Sequence, residues 1–529
     1  FVLYMTDAER GGLEFTDSYA NGIYGIFIAA VYLTPFVGGI LADRFIGYRK
    51  SVVIGGLLMA AGYIAVGVLP GAREVGTAVD VASTSLGAAA GATQTTTPTL
   101  WFWGALMLII VGNGFFKPNI STIVGRLYPD GSPLKDAGYN IFYMGINIGA
   151  FVCNFVAAVL RNRFGWGWAF SAAGVGMLIG VAWFLWGKGK FADVQDRGAG
   201  GAVEEGVLMR LSLGIFLPAI LAGLGGYWLS SALDLSSTVQ FLTPRNTAFF
   251  AAVIPIVVYY VMTWAKAHKD EKGPIGALLA IFMVVIVFWM IFHQNGNTLT
   301  LWARDYTDRV AGPAAAKVLE TTYMNEIAPE SYWANVPPAE RPAEGESVTL
   351  ISTELMQSIN PFFIILFTPL VVGAFAWLRG VGKEPSTPAK IAWGLLITAA
   401  TPLVMVAAVL VSRGGETKVS LAWLVTTYGV VTIGELFLSP MGLSLVSKLA
   451  PARLTALMMG GWFLSTAIGN NLTGVIGGLW DRVPLHWIFW INFMSAVAAA
   501  GLIAAMVPWI RRIMEEHDDR VSRLNGEPS

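Results

Sequence analysis

A disulfide needs two sulfurs, and this chain offers one cysteine, Cys153, set inside an apolar run, so no internal disulfide can form. Histidine is nearly as scarce, with four residues, and no Cys/His cluster has metal-ligand spacing. Charged side chains make up 13% of the 529 residues, and 34 basic groups cancel 34 acidic ones. A zero net charge supplies no basic field, which argues against nucleic acid as a partner. The start of the chain has no basic n-region and does not read as a cleaved signal peptide. Phe1 to Met5, ahead of the polar Asp7 to Asp17 segment, reads instead as the last turn of a helix whose beginning is missing.

What is abundant is apolar surface. With 55% hydrophobic residues and a mean hydropathy of +0.61, the chain is too apolar for a soluble enzyme and reads as an all-α, multi-pass membrane protein. Stretches of about 20 residues, the length that crosses the hydrocarbon layer, fall near 19–42, 51–70, 101–125, 138–160, 166–187, 208–232, 247–265, 275–301, 354–378, 389–411, 419–447, 454–479 and 484–510. Arg44, Arg49, Lys50, Arg126, Lys135, Lys188, Lys190, Arg197, Lys266, Lys269, Lys272, Arg379, Lys383, Lys390, Lys448, Arg453, Arg511 and Arg512 occupy alternate loops, which places those loops in the cytoplasm. Arg161 and Arg163 are the main exceptions on the opposite side. Two opposite-side loops are long, Gly71 to Thr99 and Asp305 to Thr349, and both read as surface elaboration or partial disorder.

The spans group as six, two and six. Residues 1–187 form a first bundle with an incomplete first helix, and 188–273 a linker with a helical hairpin. Residues 274–512 form a second bundle with an insertion at about 305–349, and 513–529 a cytoplasmic tail. The halves show a weak internal match, Gly112-x-x-Phe115-x-x-Pro118 against Gly434-x-x-Phe437-x-x-Pro440. In that register Asn113 corresponds to Glu435 and Lys117 to Ser439. Positions four apart share a helix face, so Lys117 and Glu435 face one another if the halves are related by a two-fold along the membrane normal. A lysine at membrane depth faces a partner or a wet cavity. The pair reads as a bond between halves that forms in one state and breaks in another, the alternative being a static buried ion pair.

Other polar groups sit at membrane depth. Trp289, His293 and Asn297 recur at four-residue spacing, which predicts an aromatic, imidazole and amide face. With a reference pKa of about 6.5, His293 can exchange a proton or, when protonated, bind an anion; a neutral histidine bonded in a helix interface is the plainer reading. Trp462, Thr466 and Asn470 repeat the pattern, Asn360 precedes Pro361, and Tyr32 lies in an early span. An aromatic pocket that can also hydrogen-bond suits a small zwitterionic solute of varied side chain.

These residues carry a family resemblance. Gly39-Ile40-Leu41-Ala42-Asp43-Arg44 with Gly47 and Arg49-Lys50 resembles the loop motif between the second and third helices of the major facilitator superfamily. Gly114-Phe115-Phe116-Lys117-Pro118-Asn119-Ile120-Ser121 and Phe142-Tyr143-Met144-Gly145-Ile146-Asn147-Ile148-Gly149-Ala150-Phe151 resemble the signature of the proton-dependent oligopeptide transporter family. Gly434-Glu435-Leu436-Phe437-Leu438-Ser439-Pro440 and Met458-Met459-Gly460-Gly461-Trp462-Phe463-Leu464-Ser465 are similar to its tenth and eleventh helices.

The resemblance implies a twelve-helix major facilitator fold with an added hairpin, importing di- and tripeptides with protons. It also implies the plasma membrane, a monomer, and a proton gradient as driving force with no bound cofactor. Lys117 matches the fourth-helix lysine that pairs with the tenth-helix glutamate, here Glu435. Tyr32, Asn147, Asn360 and Trp462 match positions lining the peptide site, and Trp289 joins them by its place beside His293. By their chemistry, Glu435 with Asn147 and Asn360 suits the peptide ammonium, and Lys117 its carboxylate. Two departures stand out: the family's first-helix Glu-x-x-Glu-Arg motif is absent from the sequence, and His293 stands where the family usually has an acid before Gln294. Plant relatives carry nitrate, so an anion transporter is an alternative, and a non-transporting receptor is another.

Overall fold

Among the described residues the apolar stretches fold as helices, one of them broken, because a backbone in hydrocarbon must satisfy its N–H and C=O groups within its own segment. The structure, a computed structural model, describes residues 1–529 other than 9, 69–95, 128–133, 192–208, 210–211, 240, 344–345, 452–453 and 526–529. Most of the loop expected at Gly71 to Thr99 lies outside the described residues.

The first half holds α1 (Val2–Thr6), α2 (Asp17–Leu41), α3 (Tyr48–Gly67), α4 (Thr96–Arg126), α5 (Leu134–Phe164) and α6 (Trp166–Trp186). A hairpin of α7 (Leu217–Ala232) and α8 (Pro244–Lys266) follows. The second half holds α9 (Lys269–Phe292), α10 (Ile359–Gly380), α11 (Thr387–Val411), α12 (Ala422–Leu449), α13 (Thr455–Gly477) and α14 (Leu485–Asn525). Among the described residues 12 helices are long and apolar enough to cross a membrane. The 23-residue α13 is not one of them. It buries Ser465, Thr466, Asn470, Asn471 and Thr473, the composition of a helix surrounded by protein rather than lipid.

The internal match has a packing cause. A Cβ on Gly112 would lie 2.7 Å from the Gly55 carbonyl oxygen, where α4 crosses α3. In the second half a Cβ on Gly434 would lie 2.9 Å from the Gly394 carbonyl oxygen, where α12 crosses α11. Each half thus needs a bare backbone at the corresponding crossing.

Between the halves, α2 packs along α13 and α5 along α10. A large buried cluster spans both halves at the end opposite the Lys- and Arg-rich loops, here called the outer end. It joins Tyr4, Ile23 and Phe102 to Met290, Trp302, Tyr428 and Trp480.

Two expectations need correction. The span expected at 275–301 is not one continuous helix. After Phe292 it tightens into a 3-10 turn, His293–Gly296, passes through Asn297 at φ −127 and ψ −105, and resumes as the helix Thr298–Asp305. A Cβ on Gly296 would lie 2.0 Å from the Tyr24 hydroxyl, so a side chain there would force the Tyr24 ring aside. Asn297 therefore leaves the face shared by Trp289 and His293 and donates to the Thr473 carbonyl at 3.0 Å.

The insertion at Asp305 to Thr349 is also more than surface elaboration. Its strand β1 (Thr307–Asp308) pairs in parallel with β4 (Val419–Ser420), and β2 (Asn325–Ile327) pairs antiparallel with β3 (Thr349–Ile351). Arg309 and Glu326 are buried within it. Its scattered aromatics and acids carry no repeating pattern, because contacts such as that of Glu326 with Arg161 join residues far apart in sequence.

Candidate functional site

Two polar clusters lie where the halves meet. In the first, α4 presents Lys117, whose ammonium sits 3.9 Å from the centroid of the Tyr32 ring on α2, a cation–π contact. The Tyr32 ring meets Trp289, from α9, at 6.5 Å and His293, from the 3-10 turn that follows it, at 5.6 Å. His293 is wedged further between Trp289 at 5.4 Å and Phe292 at 5.2 Å. Its Nδ1 is 3.1 Å from the Trp289 carbonyl. A carbonyl only accepts, so Nδ1 carries the proton and Nε2 is left as the group that can gain one.

In the second cluster, Glu435 on α12 is 7% exposed. Asn360 on α10 donates to its Oε2 at 3.1 Å and to Thr432 at 2.8 Å, and the Tyr143 hydroxyl on α5 approaches Oε1 at 3.4 Å. Asn147, one turn on from Tyr143, is buried and donates to the Tyr143 carbonyl at 2.9 Å. The network runs on to the broken helix: Thr432 donates to the Tyr428 carbonyl, and the Tyr428 hydroxyl reaches the Asn295 carbonyl at 3.3 Å. Asn295 also accepts from Gln357 at 2.5 Å. Carbonyls freed by the break are thus used by the second half's own side chains.

The Lys117–Glu435 ion pair is not formed in this conformation. Lys117 rests on an aromatic face and Glu435 accepts from neutral donors. The two clusters are nonetheless neighbours, since Tyr143 lies within electrostatic range of Tyr32. Trp462 belongs to an apolar cluster that Trp289 packs against. It is 3% exposed in the core of the second half, and a Cβ on Gly442 of α12 would lie 1.8 Å from its ring. Its opposite neighbour is Phe282 of α9, ring centroids 6.5 Å apart.

The outer end is sealed between halves. A Cβ on Gly25 of α2 would fall 2.5 Å from the Gly474 Cα of α13. Beside this contact Asn21 donates to the Gly477 carbonyl at 3.0 Å and Ser18 to that of Gly478 at 2.7 Å. Asp17, at the start of α2, pairs with Arg304 at 2.6 Å. Arg161 at the end of α5 pairs with Glu326 of the insertion and with Glu354, just ahead of α10, at 2.5 Å to the latter. Arg309 completes the group, 2.7 Å from Glu326. Burial alone would push the Glu326 pKa up, but Arg309 and Arg161 outweigh it and hold the carboxyl well below the usual carboxylate range. A cavity of about 340 Å³ lined by Arg10, Asp17, Arg161, Arg304, Arg309 and Glu326 opens above this seal.

Sequence alone assigned no role to Tyr143, Thr432, Glu326, Glu354 or Arg309. For Arg161 a signal existed, as a basic residue on the wrong side of the membrane by the loop-charge rule. It is 5% exposed and neutralised by acids, so it is no loop charge at all.

Comparison with known proteins agrees with this architecture. The family model described as the POT family matches residues 49–324 and 345–492. The chain is 30% identical over 533 residues to the peptide transporter YePEPT of Yersinia enterocolitica, covering 97% of this chain and 90% of that one. It is 26% identical over 511 residues to a di-/tripeptide transporter of Lactococcus lactis, covering 96% and 89%. A crystal structure of peptide transporter POT in complex with sulfate superposes with a TM-score of 0.70 at 27% identity, over 97% of this chain and 91% of that one. A mutant of peptide transporter POT in complex with alafosfalin gives a TM-score of 0.72 at 27% identity, over 97% and 90%.

Proposed function

Because the chain belongs to the POT family, we propose that it is a secondary active transporter that carries di- and tripeptides across the plasma membrane together with protons, by alternating access. The observation that carries this reading is Glu435, a buried carboxyl at the meeting of the halves whose donors are all neutral. A buried charge without a counter-charge is costly, so the group can hold a proton until a cation arrives. A peptide ammonium is such a cation; Asn360, bonded to the carboxyl, and Asn147, one turn on from Tyr143, receive its remaining hydrogens. Lys117 faces the peptide carboxylate, with Tyr32 and Trp289 as aromatic walls. In this assignment Trp462 acts from behind, setting α13 against α12.

Alternating access follows from exchange of partners. With the outer end sealed, Lys117 and Glu435 are apart; when the halves rock, the two close on one another and the proton leaves. His293, through Nε2, is the second group able to take up a proton on this path. The proton gradient is the driving force and no bound cofactor is needed. One chain supplies both clusters, so a monomer suffices.

Uptake of a labelled dipeptide by proteoliposomes of the full chain, under an imposed inward proton gradient, tests the reading. Accumulation that collapses with the gradient is expected. Binding without accumulation would reveal a receptor. Lys117 and His293 lie near each other with no acid in their cluster, an arrangement that also suits a small anion. Nitrate that competes with dipeptide at similar concentration would favour that second reading.

A further inference from the structure

On the outer flank of the seam between α2 and α13, the hairpin closes a second cavity, of about 210 Å³. Its walls come from all three parts of the chain: Ser18, Gly22 and Ile26 of α2, Arg245 in the first turn of α8, and Leu479 and Arg482 in the segment just after α13. Ser18, Gly22 and Ile26 lie four apart on one face of α2. Tyr24, which meets the broken helix at Gly296, points the other way. The cavity therefore opens toward the hairpin and the lipid, away from the two polar clusters, and it shares no residue with the vestibule above the seal.

The chemistry of the walls is one-sided. Arg245 lies over the Tyr19 ring at 4.4 Å, and neither Arg245 nor Arg482 forms an ion pair with an acid among the described residues. The adjacent acid, Asp481, has Asp17, Asp305 and Arg304 as its charged neighbours, which places it on the vestibule side. Arg245 is the second residue of a 23-residue helix capped by Thr243, so the helix N-terminus adds positive potential to that of the two guanidiniums. Below them the lining turns apolar, with Ile26, Val475 and Leu479. Two unneutralised cations above an apolar cleft, at the outer end of the membrane-spanning helices, match a molecule that is anionic at one end and hydrocarbon at the other.

We propose that this cavity binds the phosphodiester of an anionic phospholipid of the outer leaflet, held by Arg245 and Arg482, with its acyl chains along α2 and α8. The lipid thereby ties the hairpin to both halves beside the Gly25–Gly474 contact, and gives the hairpin a role in holding the outer end shut.

Native mass spectrometry of the full chain in detergent, with phosphatidylglycerol titrated in, tests the site. Wild type should retain one tightly held lipid, and Arg245→Gln and Arg482→Gln should each weaken it about fivefold, the effect of about 1 kcal/mol per basic residue facing anionic lipid. A Cβ on Gly22 meets no atom within 4 Å, so Gly22→Leu fills the cavity without a backbone clash and should abolish retention even if the arginine variants fold poorly. Lipid retention unchanged in Gly22→Leu overturns the proposal. So does displacement of phosphatidylglycerol by millimolar inorganic phosphate, which would make the occupant a free anion.

Discussion

Tyr143 on α5 reaches Glu435 on α12 across the boundary between the two halves, with 3.4 Å from its hydroxyl to Oε1. The contact stands where a cross-half ion pair from Lys117 was expected, and it is of a different kind. A neutral donor can hold a carboxyl whether or not it bears a proton, whereas an ammonium favours the charged form alone. The boundary is thus held by a neutral donor that can stay bonded when the carboxyl is protonated, while the cation that would sense its charge rests on Tyr32.

Substitution of Glu435 separates coupling from carriage. We expect Glu435→Gln to abolish proton-driven accumulation of dipeptide in proteoliposomes while leaving counterflow exchange, because the amide oxygen can still accept from Asn360 and its NH2 can donate to the Tyr143 hydroxyl oxygen, but the group cannot release a proton. Tyr143→Phe removes one neutral hydrogen bond, worth about 1 kcal/mol, and should slow accumulation several-fold without uncoupling it. Full accumulation in Glu435→Gln would remove this carboxyl from the proton path.

His293 gives a distinct signature. Its ring is fixed by the Trp289 carbonyl and by three aromatic neighbours, so Gln fills much of its volume but not its titration. The expected result for His293→Gln is an altered shape of the pH profile of uptake, whereas Trp289→Phe should lower affinity and leave the profile alone. Identical profiles for wild type and His293→Gln would show that the imidazole takes no proton during transport.

How much could be read in advance depended on whether a signal was local. The spans were legible, because hydrocarbon dictates both length and composition, and the Gly112–Gly434 match pointed to a real equivalence of helix crossings. Lys117, Asn360 and Glu435 stood out as polar groups at membrane depth. The actual partners of the first and third were not legible, since Lys117 turns to the Tyr32 ring and Glu435 to Asn360 and Tyr143, contacts that no spacing encodes. The break after Phe292 hid inside an apolar run, where only Asn295-Gly296 hinted at it. The insertion was read as elaboration because Glu326 finds its cations at Arg161 and Arg309, and only the fold brings Arg161 to it.

The Arg161 cluster predicts a stability effect with a pH signature. The side chains of Arg161, Glu326 and Glu354 are each less than a tenth exposed, so Arg161→Gln strands buried charge and should cost about 3–5 kcal/mol. The Glu326 pKa is depressed in the folded chain. Its contribution is therefore complete above the ordinary glutamate value of about 4.3 and is lost as the pH falls below that value toward the depressed one. Thermal unfolding in detergent from neutral to acid pH should show this loss in wild type and a flatter acid limb in Glu326→Gln. Equal acid limbs would mean that the insertion does not lean on this carboxylate.

The Gly25–Gly474 contact makes the strongest conformational prediction. A methyl group on Gly474 would lie 2.8 Å from the Gly25 Cα, and backbone on both sides leaves nothing flexible to give way. In the helix itself Gly→Ala is favourable by up to about 1 kcal/mol, so any loss of transport must come from the seam rather than from α13 unfolding. We expect Gly474→Ala to hold the outer end open. In a Cys153→Ser background, Ser18→Cys reports this directly, because Ser18 is part of the seal through its bond to Gly478. An impermeant maleimide should label that cysteine faster when Gly474→Ala is present, and dipeptide accumulation should fall in the same vesicles. Unchanged labelling together with normal accumulation would show that α2 and α13 separate elsewhere.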